Sequence, residues 1–359
     1  MAWKRSHIVG RSHLNMEGPA LQFKEPYRVE VLQEPTLPPG PEQVLVKTVL
    51  SAISPGTELL VYRGQWPRDL PVDATIPALA GEFGYPLKYG YASVGRIIEI
   101  GTHVESAWLN RLVFAFNPHQ AYFLSSPEQL VPLPDLMLPD DAAFLPSMET
   151  AVSLLMDGRP VIGERVAVFG QGVIGLLTTA LLARLPLARL VTLDRYAYRR
   201  ERSLEIGADT ALDPGEQGVL ERLREPLNVD CSESGFDLTY ELSGNPEALD
   251  SAIAVTGYSG RVVIGSWYGA KKSTVELGGH FHRGRIHIIS SQVSRLAPEF
   301  SARWTKSRRL QLALKLISDV HPSNLITHRF HISRASEAYA LLHEHPDQAF
   351  QVVFVYEDS

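Results

Sequence analysis

The chain holds a single cysteine, Cys231, in 359 residues. One thiol cannot close an internal disulfide, and it cannot build a cysteine-rich zinc lobe. Such sparing use of thiols fits a reducing compartment, and the chain reads as cytoplasmic. Long apolar runs are also missing. The N-terminal MAWKRSHIVGRSHLNMEG has no apolar core of signal-peptide length. VIGLLTTALLARL is too short and too interrupted to cross a bilayer. Nor is there an excess of positive charge: 34 Lys and Arg face 40 Asp and Glu, a net charge of −6. That balance gives no reason to expect a nucleic-acid or membrane partner.

What remains is an ordinary globular composition, 45% apolar and 21% charged, on a length that suggests two domains. Residues 1–24 are weakly patterned and read as a partly loose leader. From Tyr27 the texture is β-like: VEVLQE, VLVKTVLSAI, ASVGRIIEIG, RLVFAFN and AYFLSS are strand runs punctuated by Pro and Gly. Asp140 and Asp141, after Pro139, mark the start of a helix through LPDDAAFLPSMETAVSLLMDG. Near residue 153 short apolar runs (RVAVFG, RLVTLD, DLTYELSG, GRVVIGSW, GRIHIISSQ) begin to alternate with helical segments. Apolar strands alternating with helices predict a parallel sheet covered on both faces. The last part adds a helix at RRLQLALKLI, the segment ITHRFHI, a helix at ASEAYALLHEH and a strand at AFQVVFVYE.

The sharpest local signal is VAVFGQGVIGLLTTALL. Gly170, Gly172 and Gly175 form G-x-G-x-x-G after a strand and at a helix start, with Val173 and Ile174 opening the helix. The first glycine permits the turn, the second lets a pyrophosphate approach the backbone, and the third allows close strand–helix packing. Asp194 ends the next strand, roughly twenty residues on, where a carboxylate accepts from the ribose hydroxyls of NAD. It repels a 2′-phosphate, so NAD is favoured. Arg195, Arg199 and Arg200 follow closely, and could stack on adenine, tolerate NADP or lie on a solvated helix face. Ser243, Gly244 and Asn245, with the loop Gly265, Ser266 and Trp267, end two later strands and are candidates for the nicotinamide ribose.

The layout resembles the medium-chain dehydrogenase/reductase superfamily over residues 28–356. PGPEQVLVKTVLSAISPGTE is similar to the family's first β segment with its GTD turn, and YGYASVGRIIEIG to its GHExxGxVxxVG segment. LPSMETAVSLL is similar to the helix that carries a third zinc ligand, and ITHRFHISRASEAYALL to the C-terminal segment. Within the superfamily the likeness leans toward the bacteriochlorophyllide and sugar-alcohol branches. The resemblance implies a GroES-like β-barrel domain over 1–152, a Rossmann NAD(P)-binding domain over 153–291 and a return to the first domain over 292–359. It also implies a homodimer acting on a small molecule. The departures lie at the metal positions. The first zinc ligand falls on Pro55, the His and Glu of GHE on Tyr91 and Ala92, and the third ligand on or near Pro146. Zinc needs thiolate, imidazole or carboxylate, so neither a catalytic nor a structural zinc is expected. His119 with His103 and Glu149 could rebuild a metal site elsewhere only if the fold gathered them.

Without a metal, a side chain must supply the proton that accompanies hydride transfer. Tyr91 occupies a lost ligand position and is the first candidate, with packing against the nicotinamide as its other reading. Thr57 matches the hydroxyl of the GTD turn and could relay a proton or cap the turn, while Glu58 reads as a salt-bridged turn carboxylate. His119, flanked by Asn, Pro and Gln, reads as a loop residue rather than a core one and is a second candidate acid. Glu149 could bind a ribose hydroxyl or act as acid or base, and Thr150 resembles a family threonine near the nicotinamide amide. The run His280, His282, Arg283, Arg285 reads as an exposed basic loop or a cationic wall. The expected function is a zinc-independent NAD(P)-dependent oxidoreductase working on a carbonyl/alcohol pair. An enone or quinone reductase, and a dinucleotide-binding protein without turnover, remain as alternatives. Elemental analysis of protein purified without added metal should find no stoichiometric zinc; one equivalent per chain would overturn this reading of the ligand positions.

Overall fold

The computed structural model describes residues 16–67, 69–73, 75–224 and 234–357. Cys231 lies outside the described residues. The chain opens on an antiparallel hairpin, β1 (Met16–Glu25) and β2 (Arg28–Thr36). Most of what was expected to be a loose leader beyond residue 15 is therefore a strand. The reason is burial: Ala20, Leu21 and Phe23 point into the core, which the mixed composition of the segment hides from a pattern search.

Next come β3 (Val44–Ala52), α1 (Pro55–Tyr62), β4 (Ser93–Ile100), β5 (Leu112–Ala115), β6 (Tyr122–Ser125) and β7 (Leu130–Pro132). The helix expected from Asp140 is broken in two, α2 (Pro139–Ala142) and α3 (Leu145–Gly158). Phe144 leaves helical geometry between them, and Pro146 starts the second with its ring at a position that needs no N–H.

Alternating elements follow: β8 (Arg165–Phe169), α4 (Val173–Leu182), β9 (Arg189–Leu193), α5 (Ala197–Ile206), β10 (Thr210–Leu212), α6 (Val219–Arg224), β11 (Phe236–Glu241), α7 (Ala248–Val255), β12 (Thr256–Ile264) and β13 (His287–Ser290). They build one parallel sheet in the order β10-β9-β8-β11-β12-β13. That is the doubly wound order, with its switch point between β8 and β11, where such sheets bind ligands. β8 has no polar residue after Arg165 because both of its faces are covered.

The chain ends with α8 (Lys306–Val320), β14 (Ile326–His331), α9 (Ala335–Glu344) and β15 (Gln351–Val355). β14 and β15 join the first part in a seven-stranded sheet, β14-β15-β3-β4-β5-β7, with β6 also on β3. One edge of β3 is shared: Val44–Lys47 pair with β6, and Leu50–Ala52 with β15. The ladder does not close into a barrel among the described strands. The return segment also fills the first core, where Tyr339, Ile332 and Phe354 pack with Leu21, Phe23 and Tyr62.

A second core joins the two sheets. Ala92, Val94 and Phe114 meet Leu145 and Met148 of α3, Val173 and Leu176 of α4, and Ala313 and Ile317 of α8. Phe114 is fully buried and edge-on to Phe116 at 5.0 Å. Phe114→Ala should cost about 3–5 kcal/mol, the range for emptying an aromatic site in a packed core. Urea unfolding should show this as a lower midpoint with an unchanged slope.

Candidate functional site

The glycine turn leaves β8 with a backbone that only glycine tolerates. Gly170 has φ +88, and a Cβ there would lie 2.5 Å from Cα of Ser243. A Cβ on Gly175 would meet the Gly170 carbonyl oxygen at 1.9 Å. These two contacts press the turn and α4 together across the switch point. At Gly172 the nearest atom to a Cβ is a guanidinium nitrogen of Arg199 at 3.7 Å, so this glycine leaves an open face above the turn. The first N–H groups of α4, at Val173, Ile174 and Gly175, have no partner within the helix. An anion-binding helix start, a side-chain-free turn and a carboxylate at the end of β9 fit the diphosphate and ribose of a dinucleotide.

Asp194 is buried, with Oδ2 accepting from Gln171 N at 2.7 Å and Oδ1 from Tyr196 N at 2.9 Å. The arginines that follow separate into different roles. Arg195 is exposed and lies over the Tyr196 ring at 4.6 Å. Arg199 is not on a solvated face. Its guanidinium lies 4.0 Å from Asp194 and donates to the carbonyls of Pro346 at 2.6 Å and Ala349 at 3.3 Å. The start of α5 is thereby tied to the return segment.

Across the switch point, one residue that sequence reasoning passed over organises both loops. Glu241, fully buried at the end of β11, accepts from Ser243 N at 2.8 Å and from the Tyr268 hydroxyl, while its carbonyl accepts from Gly265 N at 3.0 Å. Burial and the Glu241 carboxylate push the Tyr268 phenol well up. Gly244 N donates to Ser266 Oγ at 2.8 Å, and Asn245 N to Ser243 Oγ at 3.0 Å. The only sequence signal was an acidic residue ending an apolar strand.

The β-sheet side meets this end through aromatic rings. Trp267 is edge-on to Trp66 at 4.5 Å, Trp66 to Tyr89 at 5.7 Å, and Tyr89 to Tyr91 at 6.2 Å. Tyr91 is half-buried, and its hydroxyl donates to Ser54 Oγ, with Thr57 Oγ1 at 3.4 Å. Burial pushes the Tyr91 phenol up, and these two hydroxyls partly offset the rise.

His119 is not an accessible loop residue. It is 0% exposed, held between Ser51 Oγ at 2.7 Å and Glu58 Oε2 at 3.0 Å. Its Asn and Pro neighbours misled because they too are buried. Glu58 has its partner, though a histidine deep in the core rather than a surface cation. Glu149 faces Arg309, whose guanidinium lies 2.9 Å from Oε1, and both are buried. Burial pushes the Glu149 carboxyl up, and Arg309 opposes the shift. Thr150 spends its hydroxyl on the Pro146 carbonyl at 2.9 Å. The set His103, His119 and Glu149 is not gathered, since His103 lies on the surface, 3.8 Å from Glu42. Among the described residues, no group of three or more His, Cys, Asp or Glu could hold a metal ion. His280 Nε2 donates to the Thr256 carbonyl at 2.7 Å, while His282, Arg283 and Arg285 are exposed.

The parallel sheet in doubly wound order, the glycine turn at its switch point and the mixed β-sheet completed by the C-terminal return together form an α/β dinucleotide-binding fold. The family pattern described as "Zinc-binding dehydrogenase" matches residues 173–310. The chain is 25% identical over 275 residues to L-threonine 3-dehydrogenase of Pyrococcus abyssi, covering 70% of this chain and 76% of that protein. It is 27% identical over 289 residues to (R,R)-butanediol dehydrogenase of Bacillus subtilis, covering 73% and 78%. Its fold matches an alcohol dehydrogenase of Escherichia coli CFT073 solved with NADH, at a TM-score of 0.75 and 18% identity over 95% of this chain and 99% of the other. These likenesses support a place in the medium-chain, zinc-type alcohol-dehydrogenase-like superfamily, and the chain is consistent with an NAD(P)-dependent dehydrogenase of that type. Among the described residues, no helix is long and apolar enough to cross a membrane.

Gly172→Val would fill the open face of the turn. It should abolish NADH binding, read by nicotinamide fluorescence, while the far-UV circular dichroism spectrum stays unchanged; retained affinity would remove the turn from the site.

Proposed function

We propose that the chain is a zinc-independent oxidoreductase that uses NAD(P) to exchange a hydride between the nicotinamide and a carbonyl/alcohol pair of a small molecule. One observation carries this reading. Where the family resemblance puts an imidazole ligand there is Tyr91, whose hydroxyl is bonded to two further hydroxyls, Ser54 and Thr57. Pro55, Ala92 and Pro146 at the remaining ligand places offer zinc no donor.

The bound cofactor supplies the hydride chemistry. The chain holds it: Gly170, Gly172, Val173, Ile174 and Gly175 face the diphosphate, and Asp194 takes the adenosine ribose. Thr150, Ser243, Gly244, Asn245, Gly265, Ser266 and Trp267 line the nicotinamide end. Asp194 disfavours a 2′-phosphate, and Arg199 is engaged by backbone carbonyls, so NAD is preferred over NADP; exposed Arg195 lies over the Tyr196 ring and donates to its hydroxyl.

In the reducing direction Tyr91 gives its proton to the substrate oxygen. A phenol pushed up by burial stays protonated at neutral pH and is a competent donor. Ser54 and Thr57 can rotate their hydroxyls to donate to the phenolate left behind. Fully buried His119 does not touch substrate, and Glu149 serves as a clamp with Arg309 rather than as acid or base. The division into 1–152, 153–291 and 292–359 belongs to the same proposal. So does a homodimer through β13, an exposed edge strand of the kind that pairs readily.

Purified protein should oxidise NADH while consuming aldehydes or ketones from a panel that also holds enones and quinones. Turnover of enones or quinones alone would favour hydride delivery to an alkene carbon, and cofactor binding with no turnover a protein without catalysis. Tyr91→Phe should lower kcat by roughly 10²–10⁴-fold, the worth of a positioned acid, and leave NADH affinity unchanged. Full turnover in this variant would remove Tyr91 as the donor.

A further inference from the structure

Directly behind the Tyr91 turn lies a buried carboxylate to which the reading above gives no part. Glu58 and His119 are both 0% exposed. Among the described residues, the only ion-pair contact of Glu58 is His119 Nε2 at 3.0 Å, with no lysine or arginine in reach. Glu58 Oε1 accepts from Ser54 N at 2.7 Å, and Oε2 accepts from the Tyr339 hydroxyl on α9. On the far side of the imidazole, Nδ1 meets Ser51 Oγ at 2.7 Å, and Ser51 Oγ meets the Tyr356 hydroxyl at 2.7 Å. Gly90, next to Tyr91, closes over the ring: a Cβ there would lie 2.6 Å from it.

Stability alone does not call for such a cluster, because apolar residues of similar volume usually serve as well or better. What it fixes is Ser54. A serine at a helix N-cap ordinarily turns its hydroxyl to the N–H groups of the first turn. Ser54 is the N-cap of α1, yet its side chain makes no capping bond. Its hydroxyl oxygen accepts from the Tyr91 hydroxyl instead. Glu58 holds the turn from the other side by taking the Ser54 N–H, so the serine stays in place without capping.

We propose that Glu58 and His119 are positioning residues that aim the Tyr91 hydroxyl, acting through Ser54. Glu58 fixes the serine backbone, His119 and Tyr339 fix Glu58, and the serine hydroxyl sets the direction of the phenol. The inference rests on Tyr91 being the proton donor.

The test is a double-mutant cycle on the panel compound that the unaltered protein reduces fastest. Glu58→Gln and His119→Gln should each lower kcat on the order of 10–10²-fold, as misplacement of a reacting group does, with KM and NADH affinity unchanged. In a Tyr91→Phe background neither should cause a further loss, because all of their effect passes through that hydroxyl. Additive losses, or losses carried by KM, would overturn the proposal in favour of a purely structural cluster. Tyr339→Phe keeps the ring packed on Phe23 at 5.1 Å and removes only one donor, and it takes the place of Glu58→Gln should that variant not fold. A second measurement needs no substrate. In protein labelled with 3-fluorotyrosine, the resonance absent from Tyr91→Phe should shift in Glu58→Gln, and a fixed resonance would overturn the proposal. Failure of the donor reading itself looks different, as full turnover in Tyr91→Phe.

Discussion

The protein depends on satisfying one buried carboxylate. Glu58 sits in the first turn of α1 with no guanidinium or ammonium beside it among the described residues, so its charge must be met by hydrogen-bond donors brought from elsewhere. Those donors come from the turn before α1, the loop between β5 and β6, and α9 near the C-terminus. The return of the chain to its first sheet is therefore more than the addition of two strands. It delivers the Tyr339 hydroxyl to Glu58, while Phe354 places its ring edge-on to His119 at 5.1 Å. Were Tyr339 or His119 absent, the carboxylate would be left short of donors, and an unsatisfied buried charge is among the costliest defects a core can carry.

The same logic recurs where the two sheets meet. Arg309 of α8 is buried, and its charge is met by Glu149 of α3 and the Val293 carbonyl. Around it, α3, α4 and α8 share one apolar cluster with Ala92 and Val94 of the β-sheet. The glycine turn and the Tyr91 turn thus rest on a common core, and their relative position is set by packing rather than by a flexible linker. Arg199 adds a third tie, from the start of α5 to the carbonyls before β15. Each tie is a buried or half-buried charge met by a distant part of the chain.

Much of this was legible in the sequence. The alternation from Arg165 to Ser290 announced the parallel sheet because each strand is buried on both faces, and the glycine spacing marked the turn because no other residue fits at Gly170 or Gly175. Where local signals conflicted with burial, the reading failed. Residues 16–24 carry the weak pattern of a partly loose leader, although Leu21 and Phe23 are core residues. α1 is opened by Pro55 and Gly56 and left no helical signature. His119 looked like a loop histidine because Asn117 and Pro118 flank it, yet all three are buried. Glu241 was invisible because nothing local reveals that a strand-end carboxylate will anchor two loops.

The sequence by itself determined the alternation of strands and helices from Arg165 to Ser290, the glycine turn with its following carboxylate, and the lack of zinc-type donors at Pro55, Ala92 and Pro146. These are properties of residues at fixed spacing, written within single segments. Tertiary structure alone decided which ionisable groups stay available. Glu149 is paired with Arg309, Arg199 with backbone carbonyls and His119 with Glu58, while half-buried Tyr91 is bonded to the Ser54 and Thr57 hydroxyls. The physical reason is that the state of a charged or polar side chain depends on the donors and acceptors that reach it, and here those come from segments 147 to 281 residues apart in the chain.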